Sequence, residues 1–144
     1  MKLSTRCRYG LRAMIEIARH YNSGPVTRKD IARNQEISAY YLENILIALK
    51  ARNLIKTVRG AHGGFTLEAL PENISMYDIV TALEGTTEPV SCVENANNCK
   101  RAKNCSARIF WQELHESIVR TLKARNLQSL VDINDKDYAL EYCI

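Results

Sequence analysis

A chain of 144 residues, 46% hydrophobic and 25% charged, has the size and composition of one small globular domain, or of a domain with an appended helix. It holds no uncharged apolar run near the roughly 20 residues needed to cross a bilayer, and its first residues, MKLSTRCRYGLRAM, lack the apolar stretch of a signal peptide. No membrane partner is expected and a cytoplasmic setting is, where the five cysteines stay reduced unless they bind metal or sense redox state. The net charge of +4 hides an asymmetry: residues 1–67 carry twelve Lys/Arg against four Asp/Glu, and residues 68–144 carry eight against twelve. A head at +8 joined to a second half at −4 points to a polyanion-binding part and a separate partner or sensing part.

Ser4 is placed to cap a first helix from about Thr5 to Tyr21, with Leu11, Met14, Ile15 and Ala18 at helical spacing. Asn22-Ser23-Gly24-Pro25 breaks it. Thr27 and Asp30 form a capping-box-like start for a second helix that turns Ile31 and Ala32 inward. Ser38 caps a third, whose Leu42, Ile45, Leu46 and Leu49 make an i, i+3, i+4, i+7 stripe. Two extended runs, LIKTV at 54–58 and FTL at 65–67, flank the glycine-rich tip Arg59-Gly60-Ala61-His62-Gly63-Gly64 and predict a hairpin. Three helices followed by a hairpin is the order of a winged helix-turn-helix. Beyond Pro71, Ser75 and Asp78 open a fourth helix with Ile79, Val80 and Leu83, closed by Gly85. Residues 86–104 read as an irregular loop, functional or disordered. From Ser106 to about Arg125 a long helix carries Ala107, Trp111, Leu114, Ile118 and Thr121/Leu122 in alternating steps of three and four. Such a narrow seam predicts a contact between two copies, with packing on the chain's own first helix as the alternative. A short apolar turn, Leu127, Leu130 and Val131, precedes an acidic end containing Cys143. The expected fold is mainly α with a small β-hairpin wing: a winged helix-turn-helix over 1–70, then a loop and long dimerisation helix over 71–144.

In such a head the third helix enters the major groove by its N-terminal end. Ser38, Tyr40 and Tyr41 offer hydroxyls to phosphates or base edges, and Glu43 offers a carboxylate to the cytosine amino group while repelling phosphates. Arg28 and Lys29 are placed to hold the backbone. Arg59, with His62 beside it on the wing, is the candidate for minor-groove insertion, since a narrow groove concentrates negative potential. Each residue alone is as readily a solvated or packed side chain. Together, on one surface of a +8 segment, they favour double-stranded DNA.

Cys92, Cys99 and Cys105 fall within fourteen residues of a polar, asparagine-rich stretch, where buried apolar cysteine is not expected. Thiolates ligate iron–sulfur clusters, and Lys100, Arg101 and Lys103 on the same stretch favour the thiolate. Structural zinc usually takes ligand pairs two to four residues apart, a spacing this segment lacks, although zinc stays an alternative.

From MKLSTRCRYGLRAM through ISAYYLENILIALKARNLIKTVRGAHGGF to the three loop cysteines, the chain resembles the IscR/NsrR/CymR family of bacterial winged-helix regulators. The wing motif VRGAHGGF and the three-cysteine loop are the specific parts. The resemblance implies a homodimeric transcription regulator, in its cluster-binding branch a repressor-type sensor with an iron–sulfur cluster, 2Fe–2S ahead of 4Fe–4S. Cys92, Cys99 and Cys105 would be its ligands, and an operator with two half-sites its partner. Three departures stand out. Six residues separate the first two cysteines instead of five, Arg108 stands where a ligating histidine is expected, and Arg8 stands where a partner subunit's aspartate would reach in. Cys7, at a position usually held by glycine, is then the expected fourth ligand, with Glu94, Cys143 or a small exogenous ligand as alternatives. Two other functions compete: a thiol-redox or small-molecule responsive repressor of the same fold without a cluster, and a small redox or electron-transfer protein. No Cys-x-x-Cys, nucleotide loop or triad supports an enzyme.

Overall fold

Four hydroxyl caps set the helix starts where the sequence places them. The computed structural model describes residues 3–133, and Ser4, Thr27, Ser38 and Ser75 each accept a backbone N–H three residues on. These bonds satisfy donors that a helix leaves unpaired in its first turn. The elements are α1 (Thr5–Arg19), α2 (Arg28–Gln35), α3 (Ala39–Ala51), β1 (Ile55–Val58), β2 (Gly64–Leu67), α4 (Met76–Glu84), α5 (Ser91–Glu94) and α6 (Ser106–Lys123), with 3-10 turns at Pro71–Asn73, Ala96–Asn98 and Ala102–Asn104. α1 and α6 each end two residues before their expected ends. At Ser75 the capping box is complete, with Asp78 accepting the backbone N–H of Ser75 at 2.9 Å.

The strands pair antiparallel, Ile55 opposite Leu67 and Val58 opposite Gly64. Val26 adds a short third rung, exchanging both backbone hydrogen bonds with Phe65 at 2.9 and 2.8 Å. Gly64 permits that approach, because a Cβ there would run into the Val26 carbonyl. Gly60 turns the wing tip at φ 120°.

One core collects the stripe Leu42, Ile45, Leu46 and Leu49 of α3 with Met14 and Ile17 of α1, Ile31, Ile55, Leu67 and Ile79. On α1 the buried arc is centred on Gly10, Ala13, Met14 and Ile17, and the expected Leu11 and Ile15 lie at its half-buried edges. Gly10 lets α1 lie close to α4, since a Cβ would meet the Leu83 side chain. The core does not stop at residue 70. It takes in Ile74, Met76, Val80 and Leu83, and it is closed by Leu127 and Val131 of a helical stretch over 127–133. That return is pinned by backbone bonds from Leu127 to Ile74 at 2.8 Å and from Met76 to Arg125 at 2.9 Å.

The segment expected as irregular, 86–104, is wound into short turns by its own asparagines. Asn95 Oδ1 accepts from Asn97 N at 2.9 Å, and Asn98 Nδ2 donates to the Ser91 carbonyl at 3.2 Å. α6 lies against α4 and α5, and none of its residues is buried. Among the described residues no helix is long and apolar enough to cross a membrane.

Candidate nucleic-acid interface and cysteine loop

Residue 36 makes the turn between α2 and α3: Glu36 takes the left-handed conformation at φ 52°, and Ser38 then caps α3. Tyr40 projects from the first turn of α3 with 83% of its surface exposed, and Ile47 follows on the outer face. Ser38, Lys29, Arg59 and His62 are exposed as the DNA reading requires. Tyr41 is only half-buried, its ring edge-on to Tyr9 at 5.9 Å, and the Arg12 guanidinium lies 5.6 Å from the Tyr9 centroid. Arg28 and Glu43 were expected to act separately on DNA, and here they pair with each other at 2.7 Å. Their pair borders a shallow groove between α3 and the wing that also contains Lys50, Thr57 and Phe65. Lys50 was missed in the sequence because it sits at the far end of α3 from the reading tip.

The second cluster of interest lies at the opposite part of the chain. Cys92, Cys99 and Cys105 are all partly exposed free thiols. Arg108, in the first turn of α6, donates from Nε to the Cys92 carbonyl at 2.9 Å and so ties the first cysteine to the helix that follows the third. Lys100, Arg101 and Lys103 line an open basic hollow with Cys105. Among the described residues no three His, Cys, Asp or Glu side chains are gathered closely enough to hold a metal ion, so the three thiols are neighbours in sequence and not yet a closed set.

Cys7, expected to complete that set, is placed in its own chain's core at 3% exposure. Burial, with the Glu84 carboxylate beside it, pushes its thiol up to about 11. Glu84 in turn accepts from Ser4 N at 2.9 Å and Ser4 Oγ at 2.7 Å, locking the start of α1 to the end of α4. This environment favours the neutral thiol over the thiolate a ligand needs. Cys143 lies outside the described residues. Glu94 is exposed on α5, and His115 is engaged with Thr87 at 3.1 Å and Glu88 at 3.5 Å.

The profile of the Rrf2 family, described as an iron-dependent transcriptional regulator, matches residues 3–133. The chain belongs to the Rrf2 family. It is 40% identical to Protein rrf2 of Nitratidesulfovibrio vulgaris over 131 residues, spanning 91% of this chain and 87% of that protein. Among solved structures, CymR of B. subtilis superposes with a TM-score of 0.77 at 34% identity, covering 92% of this chain and 98% of the other. T. potens IscR superposes at 0.75 and 32% identity, covering 96% and 90%. The fold is therefore the winged helix these regulators share, with the β1–β2 hairpin as its wing. This Rrf2-family chain is a DNA-binding transcriptional regulator and not an enzyme.

Proposed function

We propose that this Rrf2-family chain is a cytoplasmic homodimer that reads a two-half-site operator and senses iron–sulfur status, oxidants or nitric oxide through a cluster on Cys92, Cys99 and Cys105. The observation that carries the reading is the three-thiol loop itself: partly exposed thiols on a segment clamped at its base by Arg108. Its donor chemistry fits the group, since iron–sulfur clusters take thiolates and Lys100, Arg101 and Lys103 share the segment. When bound, the group supplies iron–thiolate bonds that cross-link the turns of the loop.

The chain's own residues do the rest. Arg108 holds the Cys92 backbone against the first turn of α6. Cys105 immediately precedes α6, so order in the loop passes to the start of the helix that faces the second copy. In the head, Lys29, Ser38, Tyr40 and Tyr41 hold the duplex backbone, Glu43 tests base edges while keeping Arg28 in its own ion pair, and Arg59 with His62 brings the wing to the minor groove. Cys7 serves as a core residue beneath Glu84.

A second reading keeps DNA binding and makes the loop a thiol switch without metal. It makes the smaller demand on geometry, since a disulfide needs two of the three thiols to meet, whereas among the described residues no three ligating side chains converge. Anaerobic purification, followed by visible absorption and iron and sulfide assays, separates the two. Stoichiometric iron and sulfide that vanish in Cys92→Ser, Cys99→Ser or Cys105→Ser support the cluster. A colourless, iron-free protein that forms a loop disulfide with peroxide supports the switch, and bound zinc overturns both.

A further inference from the structure

We propose that Arg12 and Glu16 of α1 clamp Gln35 from both sides and thereby set the tilt of the recognition helix, which makes Glu16 a positioning residue for base selection. This goes beyond the cluster reading and rests only on DNA binding by the head.

Glu16 is a carboxylate 4% exposed in the middle of α1. Both of its oxygens are used: Oε1 accepts from Asn34 Nδ2 at 2.8 Å and Oε2 from Gln35 Nε2 at 2.9 Å. His20, one turn further on, places Nδ1 3.0 Å from the Glu16 backbone carbonyl and 4.0 Å from Oε1. One turn earlier, Arg12 Nε donates to Gln35 Oε1 at 3.2 Å, and Arg12 Nη2 donates to the Gln35 backbone carbonyl. The amide of Gln35 is thus held at both its oxygen and its nitrogen by residues four apart on one helix.

Gln35 is the last residue of α2, and the turn that aims α3 begins at the next position. Apolar packing does little to fix α2, whose one buried residue is Ile31. Ile31 and the partly buried Ala32 are its apolar footing, and non-directional packing that narrow constrains roll less than paired hydrogen bonds of fixed direction do. An uncompensated carboxylate would be expelled from such a site, so its retention implies that direction is what it supplies. Through Gln35 the clamp fixes where Ser38, Tyr40 and Glu43 fall relative to Arg28. Tyr9, beneath Arg12, braces the same corner against Tyr41.

The test uses the full chain and two duplexes: one enriched by the wild type from a randomised pool, and a scrambled one of the same composition. Affinities are read at a temperature where near-ultraviolet circular dichroism shows every variant folded. Glu16→Gln faces two amide donors with one oxygen, and Gln35→Glu sets two carboxylates against each other. Each should lower the ratio of enriched to scrambled affinity about tenfold while leaving scrambled affinity within about twofold. The double swap, Glu16→Gln with Gln35→Glu, restores a donor–acceptor match, because the new amide can donate to the new carboxylate, accept from Asn34 and leave Arg12 an ion-pair partner. It should recover the ratio to within about threefold of wild type. Asn34→Ala, at an exposed site that tolerates truncation, should lower the ratio about threefold and serves if a single variant fails to fold. Loss of thermal stability with an unchanged ratio would make the clamp merely structural and overturn the proposal. So would a double variant no more selective than the worse single, or an Asn34→Ala variant with wild-type selectivity.

Discussion

α1 buries seven of its fifteen residues, whereas α6, the longest helix at eighteen, buries none. The head closes on itself: α1 to α4, the wing and the returning 127–133 stretch share one core. The arm formed by residues 86–123 reaches that core only at its edge, through Leu122. Its Ile109, Phe110 and Leu114 stand 59%, 57% and 37% exposed, an apolar face that a water-soluble helix does not normally present. Among the described residues the head covers its apolar side chains, whereas the arm leaves part of its own open to solvent.

The strongest way to break that comparison is to damage each part and compare the losses. Ile45→Ala empties a fully buried site in the head and should lower unfolding free energy by about 2–5 kcal/mol, independent of protein concentration. Leu114→Glu should leave the head's unfolding nearly unchanged but shift sedimentation from dimer to monomer. It should also weaken binding to a two-site duplex far more than to a single half-site. Equal, concentration-independent losses from both variants would mean that the arm is packed as the head is.

Much of the head was legible because its determinants are local. Ser38 with the Leu42, Ile45, Leu46 and Leu49 stripe, and Ser75 with Asp78, lie within one or two turns of each other, and the structure places them as the spacing requires. The contacts that escaped the sequence join distant residues. Ser4 to Glu84, Glu16 to Asn34 and Gln35, and Arg108 to the Cys92 carbonyl each depend on how two elements meet. Only Glu16 left a trace, as a charge within the apolar arc of α1. The pairing of Arg28 with Glu43 was hidden for the same reason, since both residues looked like independent DNA contacts. Cys7 was set beside the cluster by its place next to Arg8, while its burial beneath Glu84 depends on the packing of α1 on α4.

Cys7 gives a smaller and pH-dependent test of how completely the head is closed. Its folded thiol is raised from 9.0 to about 11, so the folded state keeps a proton that the unfolded chain releases first. The contribution to stability is therefore full below pH 9.0 and lost as pH climbs towards about 11. The difference in unfolding free energy between wild type and Cys7→Ala should narrow across that window by on the order of 2 kcal/mol. A difference flat from neutral to alkaline pH would show that the thiol is solvated, and it would reopen Cys7 as a ligand.

The smallest change in stability, with a distinct change in recognition, is expected at Glu43. Its pair with Arg28 joins two side chains about half exposed, and such pairs contribute only about 0.2–1 kcal/mol, so Glu43→Ala should scarcely alter thermal unfolding. On DNA the same substitution acts in two directions. It removes an acceptor that tests base edges, and it releases Arg28 to a phosphate. Affinity for scrambled duplex should then rise and its salt slope should steepen by about 1, while the spread of affinities across single-base variants of the enriched duplex contracts. These readings separate two roles for the carboxylate. If Glu43 discriminates, its loss flattens the ranking of sequences without lowering the whole scale. If instead it anchors Arg28 in the geometry needed for contact, every sequence loses affinity alike and the salt slope falls.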